Sequence, residues 1–372
     1  MNGGRRRGSA PVALDDVASG AVFAVLRETV EGLAPDCRAD PGAPRRMKIS
    51  RRAVLRTLGG LPLAATGCRT TARGPGAAPV AFGPSPTRTF AAPARVLLYG
   101  DSRGRIPLEF WREHTGVIPA RVVAQAVAER ADLVIHAGDL VETGSPASWS
   151  RFDDEVAPLR TCGVPFFPIL GNHEFFGEGD TRAALARYHA RFPALEGRRW
   201  YDLRVGPLLF VLVDTNAPEL TRGEVEAQDA WYRDRLARAD DDPSVRWVVV
   251  VGHHPPMTNA GVHRPDAFTN VHFATPALEH AKFAAFVAGH VHTYERFRID
   301  GRQFLVSGGG GSPRVHLVRD HRWRDEYRGG PIRPFHYLRF DVRPDRCDVE
   351  IVMLDPVTCA WTVGDGFGLG LA

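Results

Sequence analysis

The chain has 372 residues, of which 44% are hydrophobic and 24% are charged, and its formal net charge is +4. The hydrophobic and charged fractions are typical of a soluble globular protein. The positive charge lies at the front, because residues 1–93 hold 14 Lys and Arg against 6 Asp and Glu, whereas residues 94–372 hold 33 against 37. The main part of the chain is therefore mildly acidic, and its charge gives no argument for nucleic-acid binding.

The five cysteines are too few and too scattered for a disulfide framework. Cys347 and Cys359 could pair across two adjacent strands, and this disulfide is an open alternative that depends on their geometry.

The front of the chain is predicted to lie outside the folded domain. Residues 1–46 show little periodicity and are interpreted as a disordered or over-extended N-terminus, with Met47 as the start. Residues 47–68 read as an export signal, with a charged stretch, a short apolar stretch and small residues before Cys68. The Ser-Arg-Arg-Ala-Val-Leu string resembles the twin-arginine signal, and residues 65–68 resemble a lipobox. We therefore expect an exported protein, periplasmic or at the cell surface, with possible lipid attachment at Cys68; the alternative is an arginine-rich disordered arm.

Residues 69–93, rich in Ala, Gly, Pro and Thr, are predicted to be a flexible linker. Residues 94–372 are predicted to form one α/β domain, because short apolar runs alternate with helical patterns, as in βαβ units. Strands are predicted at residues 95–99, 132–136, 166–170, 200–203, 208–213, 246–251, 283–288, 303–307, 335–342 and 349–354. Helices are predicted near residues 118–130, 148–159, 225–239 and 276–283.

Polar residues follow five of these strands in succession. Ligands of α/β sheets bind outside the carboxyl ends of the strands, so these residues should meet. Carboxylate oxygen, amide oxygen and imidazole nitrogen suit Zn, Mn and Fe. Six ligands exceed the need of one tetrahedral ion, and two ions sharing a carboxylate account for them better. The residues are Asp101, Asp139, Asn172, His253, His290 and His292.

The last pair follows a glycine in the string Gly-His-Val-His of residues 289–292. If this segment is extended, His290 and His292 point the same way, and Gly289 allows a close approach of backbone or ion. Each motif by itself is more often an ordinary turn, a helix cap or a structural histidine. Five of them in register at strand ends favour a metal site.

These motifs resemble those of the calcineurin-like metallophosphoesterases, in family order and over about residues 95–312. The family pattern of Asp-x-His, Gly-Asp, Gly-Asn-His-Glu/Asp, a strand-end His and Gly-His-x-His is present except for the first histidine. The extended string of residues 289–296 is similar to that of the purple acid phosphatases. The resemblance implies a four-layer fold, with two central mixed β-sheets flanked by helices.

The resemblance also implies a dinuclear centre of Fe, Mn or Zn and a phosphate ester substrate. Asp139 would bridge the ions, Asp101 and His292 would hold the first ion, and Asn172, His253 and His290 would hold the second. A water activated by both ions would attack phosphorus in line. His173 would contact the phosphate rather than a metal, and a monoester would be favoured over a diester.

The chain departs from the family at the first motif, where Arg103 replaces the histidine. Arginine cannot bind a metal, but its planar guanidinium could grip a phosphate; the alternative is an ion pair elsewhere. Purple acid phosphatases have a tyrosine three residues after the bridging aspartate, and here Glu142 stands there, either as a replacement ligand or as a surface glutamate.

Four further features are interpreted individually. His263 is a candidate general acid facing the substrate. His254 is interpreted as structural, and the Ser-Gly-Gly-Gly-Gly-Ser run of residues 307–312 either lines the pocket or forms a mobile turn. His336 is expected in the core or at the rim.

Exported phosphoesterase is the leading hypothesis. A surface lipoprotein that binds metal or phosphate without turnover is the alternative, and a scaffold that uses the fold alone leaves the six ligands unexplained.

Overall fold

The computed structural model describes residues 80–82, 89–106, 109, 112–113, 115–318, 322–355 and 358–370. The predictions for residues 1–46, for the export signal and for lipid attachment at Cys68 lie outside these residues. Within the described part of the chain, none of the helices combines the length and apolar character that a membrane crossing requires.

The described strands form two mixed sheets. In chain order the strands are β1 (Thr89–Phe90), β2 (Ala94–Tyr99), β3 (Leu133–His136), β4 (Phe166–Pro168), β5 (Tyr201–Val205), β6 (Leu208–Leu212), β7 (Trp247–Gly252), β8 (Phe283–Ala288), β9 (Tyr294–Ile299), β10 (Arg302–Ser307), β11 (His336–Val342), β12 (Cys347–Leu354) and β13 (Trp361–Gly368).

The seven-stranded sheet has the order β1-β5-β6-β7-β8-β10-β9, and the six-stranded sheet has the order β13-β12-β11-β2-β3-β4. Strands β6, β7, β8 and β10 run parallel to one another, as do β2, β3 and β4. Each sheet therefore collects the carboxyl ends of several strands at one edge, where a ligand site is expected.

The two sheets face each other across a shared core. On β6, Leu208, Phe210 and Leu212 point into this core, whereas Leu209 and Val211 point to the opposite face. Side chains alternate along a strand, so one face meets the other sheet and the other face meets helices. The Phe210 ring lies 5.4 Å from the ring of Phe340 on β11, which joins the sheets. Burial on both faces explains why β6, β7 and β8 are almost continuously apolar.

Helices cover the outer faces, which completes the predicted α/β four-layer architecture. A helical segment over residues 267–277, in three short pieces, packs with helix α5 (Arg222–Asp241) on the seven-stranded sheet through Phe273 and Tyr232. A capping box between Thr221 and Glu224 fixes the start of α5. The helices are α1 (Ile118–Ala128), α2 (Pro146–Glu155), α3 (Ala157–Thr161), α4 (Thr181–Arg191) and α5 (Arg222–Asp241).

Each of the ten predicted strands overlaps a strand of the structure, but the predictions omit β1, β9, β13 and helix α4. The helix predicted at residues 276–283 is wrong, because the helical segment ends at Ala277 and β8 begins at Phe283. Strand β13 escapes prediction because three glycines interrupt its sequence and most of its residues are exposed. It is held by its ladder with β12 rather than by an apolar pattern.

Part of the predicted linker belongs to the domain. Phe82 is buried and stacks on Phe166, with ring centroids 5.0 Å apart, and β1 pairs with β5. These two contacts place residues 80–82 and 89–93 with the fold instead of the linker predicted over residues 69–93.

The alternative of a disulfide between Cys347 and Cys359 is wrong, because both cysteines are free. Cys347 begins β12, whereas Cys359 lies in the turn beyond its other end. The strand itself keeps the two residues apart.

Candidate metal centre

Three of the predicted ligands sit at sharp turns directly after strands. Asp101, Asp139 and His290 have φ angles of 58°, 58° and 66°. Non-glycine residues rarely adopt this left-handed conformation, which costs roughly 1 kcal/mol or more and clusters at functional sites. The turn aims each side chain back over the edge of its sheet. Asp101 N donates to Gly138 O at 3.0 Å, so the first two turns are bonded to each other.

Residues 289–292 are not extended, so the condition under which His290 and His292 would point the same way is not met. Val291 N donates to Gly289 O at 2.8 Å and Thr293 N donates to Val291 O at 2.7 Å, which folds the segment into two tight turns. His290 and His292 therefore point in different directions and join different groups of side chains.

One group consists of Asp101, Asp139 and His292, each of which offers an atom within 4.8 Å of the others. All three are buried. His292 Nδ1 lies 2.7 Å from Pro313 O, so this nitrogen carries the proton and donates. Its Nε2 then presents a lone pair, 3.6 Å from Asp101 Oδ1.

The other group lies around Asn172 and Asp139. His253 Nδ1 lies 2.8 Å from Ala137 O, and its Nε2 lies 3.1 Å from Asn172 Oδ1 and 3.3 Å from Asp139 Oδ1. His290 Nδ1 lies 3.0 Å from the same Asn172 oxygen. His253, His254 and His290 each offer a nitrogen within 4.8 Å of the others.

These side chains fit a metal ion because His253 Nε2 and the side-chain oxygens of Asn172 and Asp139 converge as acceptors. Ala137 O can only accept, so His253 Nε2 faces the two oxygens with a lone pair, and only a proton or a cation resolves this arrangement. Burial by itself lowers the pKa of His253, but the Asp139 carboxylate overrides it and raises the pKa to about 9. Imidazole and carboxylate ligands suit Zn, Mn and Fe.

The electrostatics differ between the two carboxylates. Burial raises the pKa of Asp101 well above its ordinary value. Burial would also raise the pKa of Asp139, but His173 and His253 hold it well below its ordinary value. Asp139 is thus the carboxylate that stays charged, as a group shared between two cations must.

Glu174, which had no predicted role, organises this edge of the site. It is fully buried, and its carboxylate accepts from Asp139 N at 3.1 Å, Leu140 N at 2.7 Å and Gly171 N at 2.6 Å. It therefore clamps the turns after β3 and β4 together. The available signal was its place as the last residue of the Gly-Asn-His-Glu motif.

Arg103 is brought to the site but is held by an acidic partner. Its guanidinium is buried and makes a two-pronged pair with Glu109, at 2.9 and 3.2 Å. Its Nε lies 3.7 Å from Asp139 Oδ2 and, within the described residues, has no hydrogen-bond partner. A fixed positive charge therefore lies beside the first ligand group.

The structure places Glu142 apart from both groups. Its carboxylate pairs with Arg151, and among the described residues it belongs to neither ligand cluster. Its backbone oxygen accepts from His173 Nδ1 at 2.7 Å. Glu142 thus contacts the site through its main chain.

His173 and His263 both lie at the site. His173 Nε2 is 3.9 Å from Asp139 Oδ2, and burial lowers its pKa to about 4. The His263 ring lies 5.1 Å from the His290 ring, and its buried Nδ1 has no hydrogen-bond partner among the described residues.

Glycines allow the ligand turns to approach each other. A Cβ at Gly289 would lie 2.5 Å from Asp101 Oδ2, and a Cβ at Gly308 would lie 2.9 Å from the same oxygen. The prediction of a close approach at Gly289 is confirmed, and the glycine run of residues 307–312 lines the site. His336 packs behind this run in the core, with Nε2 3.1 Å from Ser307 Oγ.

Residues 117–294 match the family model of the calcineurin-like phosphoesterases. Together with the two-sheet fold and the ligand edge, this match identifies a calcineurin-like phosphoesterase domain over residues 117–294, which confirms the resemblance of the motifs.

Similar proteins fall into two kinds. The chain is 24% identical to mouse tartrate-resistant acid phosphatase type 5 over 294 residues, 72% of this chain and 84% of that protein. It is 29% identical to a 3′,5′-cyclic adenosine monophosphate phosphodiesterase of Pseudomonas aeruginosa over 183 residues, 46% of this chain and 59% of that protein. The matches to four such cyclic nucleotide enzymes span only 49–61% of their lengths.

Solved structures support the fold. A purple acid phosphatase from yellow lupin seeds superposes with a TM-score of 0.55 at 19% identity, covering 74% of this chain and 53% of that one. At this identity the likeness concerns the fold alone.

Proposed function

We propose that the chain is a metal-dependent hydrolase of phosphate esters. The observation that carries this proposal is the pair of ligand groups that share Asp139 at one edge of two facing sheets. The calcineurin-like phosphoesterase domain and relatives named as phosphatases and phosphodiesterases support the same reaction class.

Two ions of Fe, Mn or Zn are proposed. Asp101 and His292 would hold the first, Asn172, His253 and His290 would hold the second, and Asp139 would contribute to both. When bound, such ions polarise a phosphoryl oxygen and lower the pKa of water. Glu142 is left out of this ligand set because its carboxylate pairs with Arg151.

His173 is proposed to move a proton at Nε2. Its Nδ1 proton is committed to Glu142 O, so Nε2 is the nitrogen that faces the site. With its pKa lowered to about 4 by burial, the ring is neutral at physiological pH and Nε2 is free to accept a proton.

Arg103 is proposed to bind the phosphoryl group through its unpartnered Nε–H. Glu109 holds the rest of the guanidinium in place, so this donor is already oriented before substrate arrives. His263 is proposed to face the leaving group as a general acid, since its ring packs on His290 at the mouth of the second ligand group.

The test is hydrolysis of p-nitrophenyl phosphate by the full chain loaded with Mn, Fe or Zn, with metal content measured by elemental analysis. Asp139→Asn should lower kcat/KM on the order of a thousandfold. Asp229→Asn is the matched control, because Asp229 pairs with His272 away from the site. Metal bound without turnover of any ester would favour the alternative of a surface protein that binds metal or phosphate.

A monoester preference is proposed from the purple acid phosphatase-like string of residues 289–296. The relatives named as cyclic nucleotide phosphodiesterases support a diester instead. Comparing kcat/KM for p-nitrophenyl phosphate and bis(p-nitrophenyl) phosphate decides between them, and a higher value for the bis ester would overturn the preference.

Export is proposed from residues 47–68, with lipid attachment at Cys68. Mass spectrometry of the mature protein purified from its native source is the test. A mature chain that begins at Cys68 and carries lipid is expected, whereas an intact Met1 would contradict export.

A further inference from the structure

His254, the second of two consecutive histidines after β7, has no role in the function proposed above. Its half-buried ring lies 4.9 Å from the His253 ring and 4.5 Å from the His290 ring, measured between centroids. One of its nitrogens comes within 4.8 Å of the ligand nitrogens of both neighbours. By distance alone, His254 would be an additional ligand of the second ion.

Thr215 determines which nitrogen of His254 carries the proton. The Thr215 hydroxyl oxygen accepts from His253 N at 3.2 Å and from His254 N at 3.0 Å. A hydroxyl oxygen has two lone pairs and one proton. The two backbone donors use both lone pairs, so the hydroxyl proton is left for His254 Nδ1, which lies 2.9 Å away. His254 Nδ1 is therefore an acceptor, and Nε2 carries the hydrogen.

Two of the three proposed ligand histidines, His253 and His292, have the opposite arrangement. Nδ1 of His253 and Nδ1 of His292 each face a backbone carbonyl, at 2.8 and 2.7 Å. A carbonyl can only accept, so these rings hold their proton on Nδ1 and present a lone pair from Nε2. In His254 the lone pair on Nδ1 is used by Thr215, so the nitrogen left for the site is Nε2, which carries the hydrogen. The same holds for its charged form, because an imidazolium also carries a hydrogen on Nε2.

We propose that His254 binds the phosphoryl group of the substrate instead of a metal ion. Its Nε2–H donates to a phosphoryl oxygen, and Thr215 is the positioning residue that selects this tautomer. The inference rests on the proposed function for the identity of the ligand, an oxyanion of tetrahedral phosphate. The proposed hydrogen bond does not depend on turnover of a substrate. Measurements of phosphate binding and of metal content therefore test the proposal about His254 separately from the proposed function.

The first experiment compares His254→Ala with His254→Gln, using elemental analysis for metal content and inhibition by inorganic phosphate for binding. His254→Ala should leave metal content unchanged and weaken phosphate binding about tenfold, the usual effect of losing a hydrogen bond to a charged group. Glutamine places an amide N–H near the former Nε2, so His254→Gln should recover part of the affinity. Loss of one ion from His254→Ala would identify a metal ligand, and unchanged phosphate binding would remove any substrate role; either result overturns the proposal.

If the full chain turns over no ester, the proposed function fails while the proposal about His254 remains testable. Direct binding of inorganic phosphate by calorimetry then replaces inhibition. A long-range ¹H–¹⁵N spectrum of the histidine rings, assigned with His254→Gln, reports the tautomer directly. Hydrogen on Nε2 is expected, and a neutral ring with hydrogen on Nδ1 would overturn the role of Thr215.

Thr215→Ser and Thr215→Val test the positioning residue. Serine keeps the hydroxyl proton, so phosphate binding should stay within about twofold of the unsubstituted protein. Valine removes that proton and should weaken phosphate binding about as much as His254→Ala. Equal phosphate affinity in the serine and valine variants, both folded by circular dichroism, would contradict the mechanism.

Discussion

The two sheets contribute different chemistry to the same site. The six-stranded sheet supplies the proposed oxygen ligands, Asp101, Asp139 and Asn172, from the ends of β2, β3 and β4. The seven-stranded sheet supplies the imidazoles, His253 after β7 and His290 and His292 after β8. Neither sheet alone offers a mixed donor set. The proposed metal centre therefore depends on how the sheets pack, and hydrogen bonds such as His290 N to Asp101 Oδ1 at 2.9 Å cross between them.

Each sheet also has one buried glutamate that holds its loops. On the six-stranded side, Glu174 bonds the turns that carry Asp139 and Gly171. On the seven-stranded side, Glu295 accepts from Thr258 Oγ1 at 2.6 Å and Asn259 N at 2.7 Å. Burial raises the pKa of both carboxyls to about 7. Glu174 accepts a hydrogen bond from the backbone N–H of a proposed ligand, Asp139, whereas Glu295 accepts one from Asn259, which is not a proposed ligand.

The largest effect is expected from Glu174→Ala. The substitution leaves three buried backbone N–H groups without partners, at about 1–3 kcal/mol each, so we expect a loss of about 4 kcal/mol in the free energy of unfolding. Metal content should fall with it, because the Asp139 turn loses its anchor. Urea unfolding and elemental analysis measure the two effects.

Glu295→Ala is the matched comparison on the other sheet. It should also lower the free energy of unfolding but leave metal content unchanged in the folded protein. An equal loss of metal in Glu174→Ala and Glu295→Ala would show that the two glutamates do not differ in their effect on metal binding.

Gly289→Ala tests the contact between the sheets. The added Cβ would lie 2.5 Å from Asp101 Oδ2 and 3.0 Å from Ala137 O, so one side must move. Overpacking of this kind costs about 1–3 kcal/mol, and metal binding should weaken tenfold or more. Gly330→Ala is the control, because a Cβ there meets nothing within 4 Å. Unchanged metal affinity in Gly289→Ala would show that the close approach is dispensable.

Glu295→Gln tests the raised pKa of this carboxyl through the pH dependence of stability. The folded chain holds the Glu295 proton more tightly than the unfolded chain, with a pKa of about 7 against 4.5. Its contribution to the free energy of unfolding therefore falls as pH rises from about 4.5 to about 7. With glutamine, the fall between about pH 5 and pH 8 should be shallower by about 2 kcal/mol. An identical pH profile would contradict the raised pKa.

Arg103→His tests whether the positive charge of Arg103 weakens metal binding at the first ligand group. The Arg103 charge lies beside Asp139 and opposes a cation at the first ligand group. Replacing it with histidine removes that charge and adds a possible ligand, so the first ion should bind about tenfold more tightly or better. Arg103→Gln removes only the charge and should give a smaller gain. Calorimetric metal titration measures both, and no gain in either variant would show that Arg103 does not oppose the first ion.

Much of the fold could be predicted because its signals are local. Continuous apolar runs marked β7 and β8, and the polar residue after each strand end marked the ligand edge. Strand β9 was missed because its sequence mixes charged and aromatic residues, Tyr294–Ile299. It is held by pairing with β10. The extended geometry assumed for residues 289–292 failed because the turn at His290 is stabilised by contacts from another sheet.

The sequence alone determined which residue types stand at the strand ends, and through them the resemblance to the calcineurin-like phosphoesterases. These features can be read from the sequence because each motif directly follows its own strand along the chain. Only the tertiary structure decided which nitrogen of each histidine faces the site, because the carbonyl that orients His253 lies 116 residues away in the chain. It likewise paired Arg103 with Glu109 and Glu142 with Arg151. Partners of this kind are chosen by packing, so residue identity at one position does not specify them.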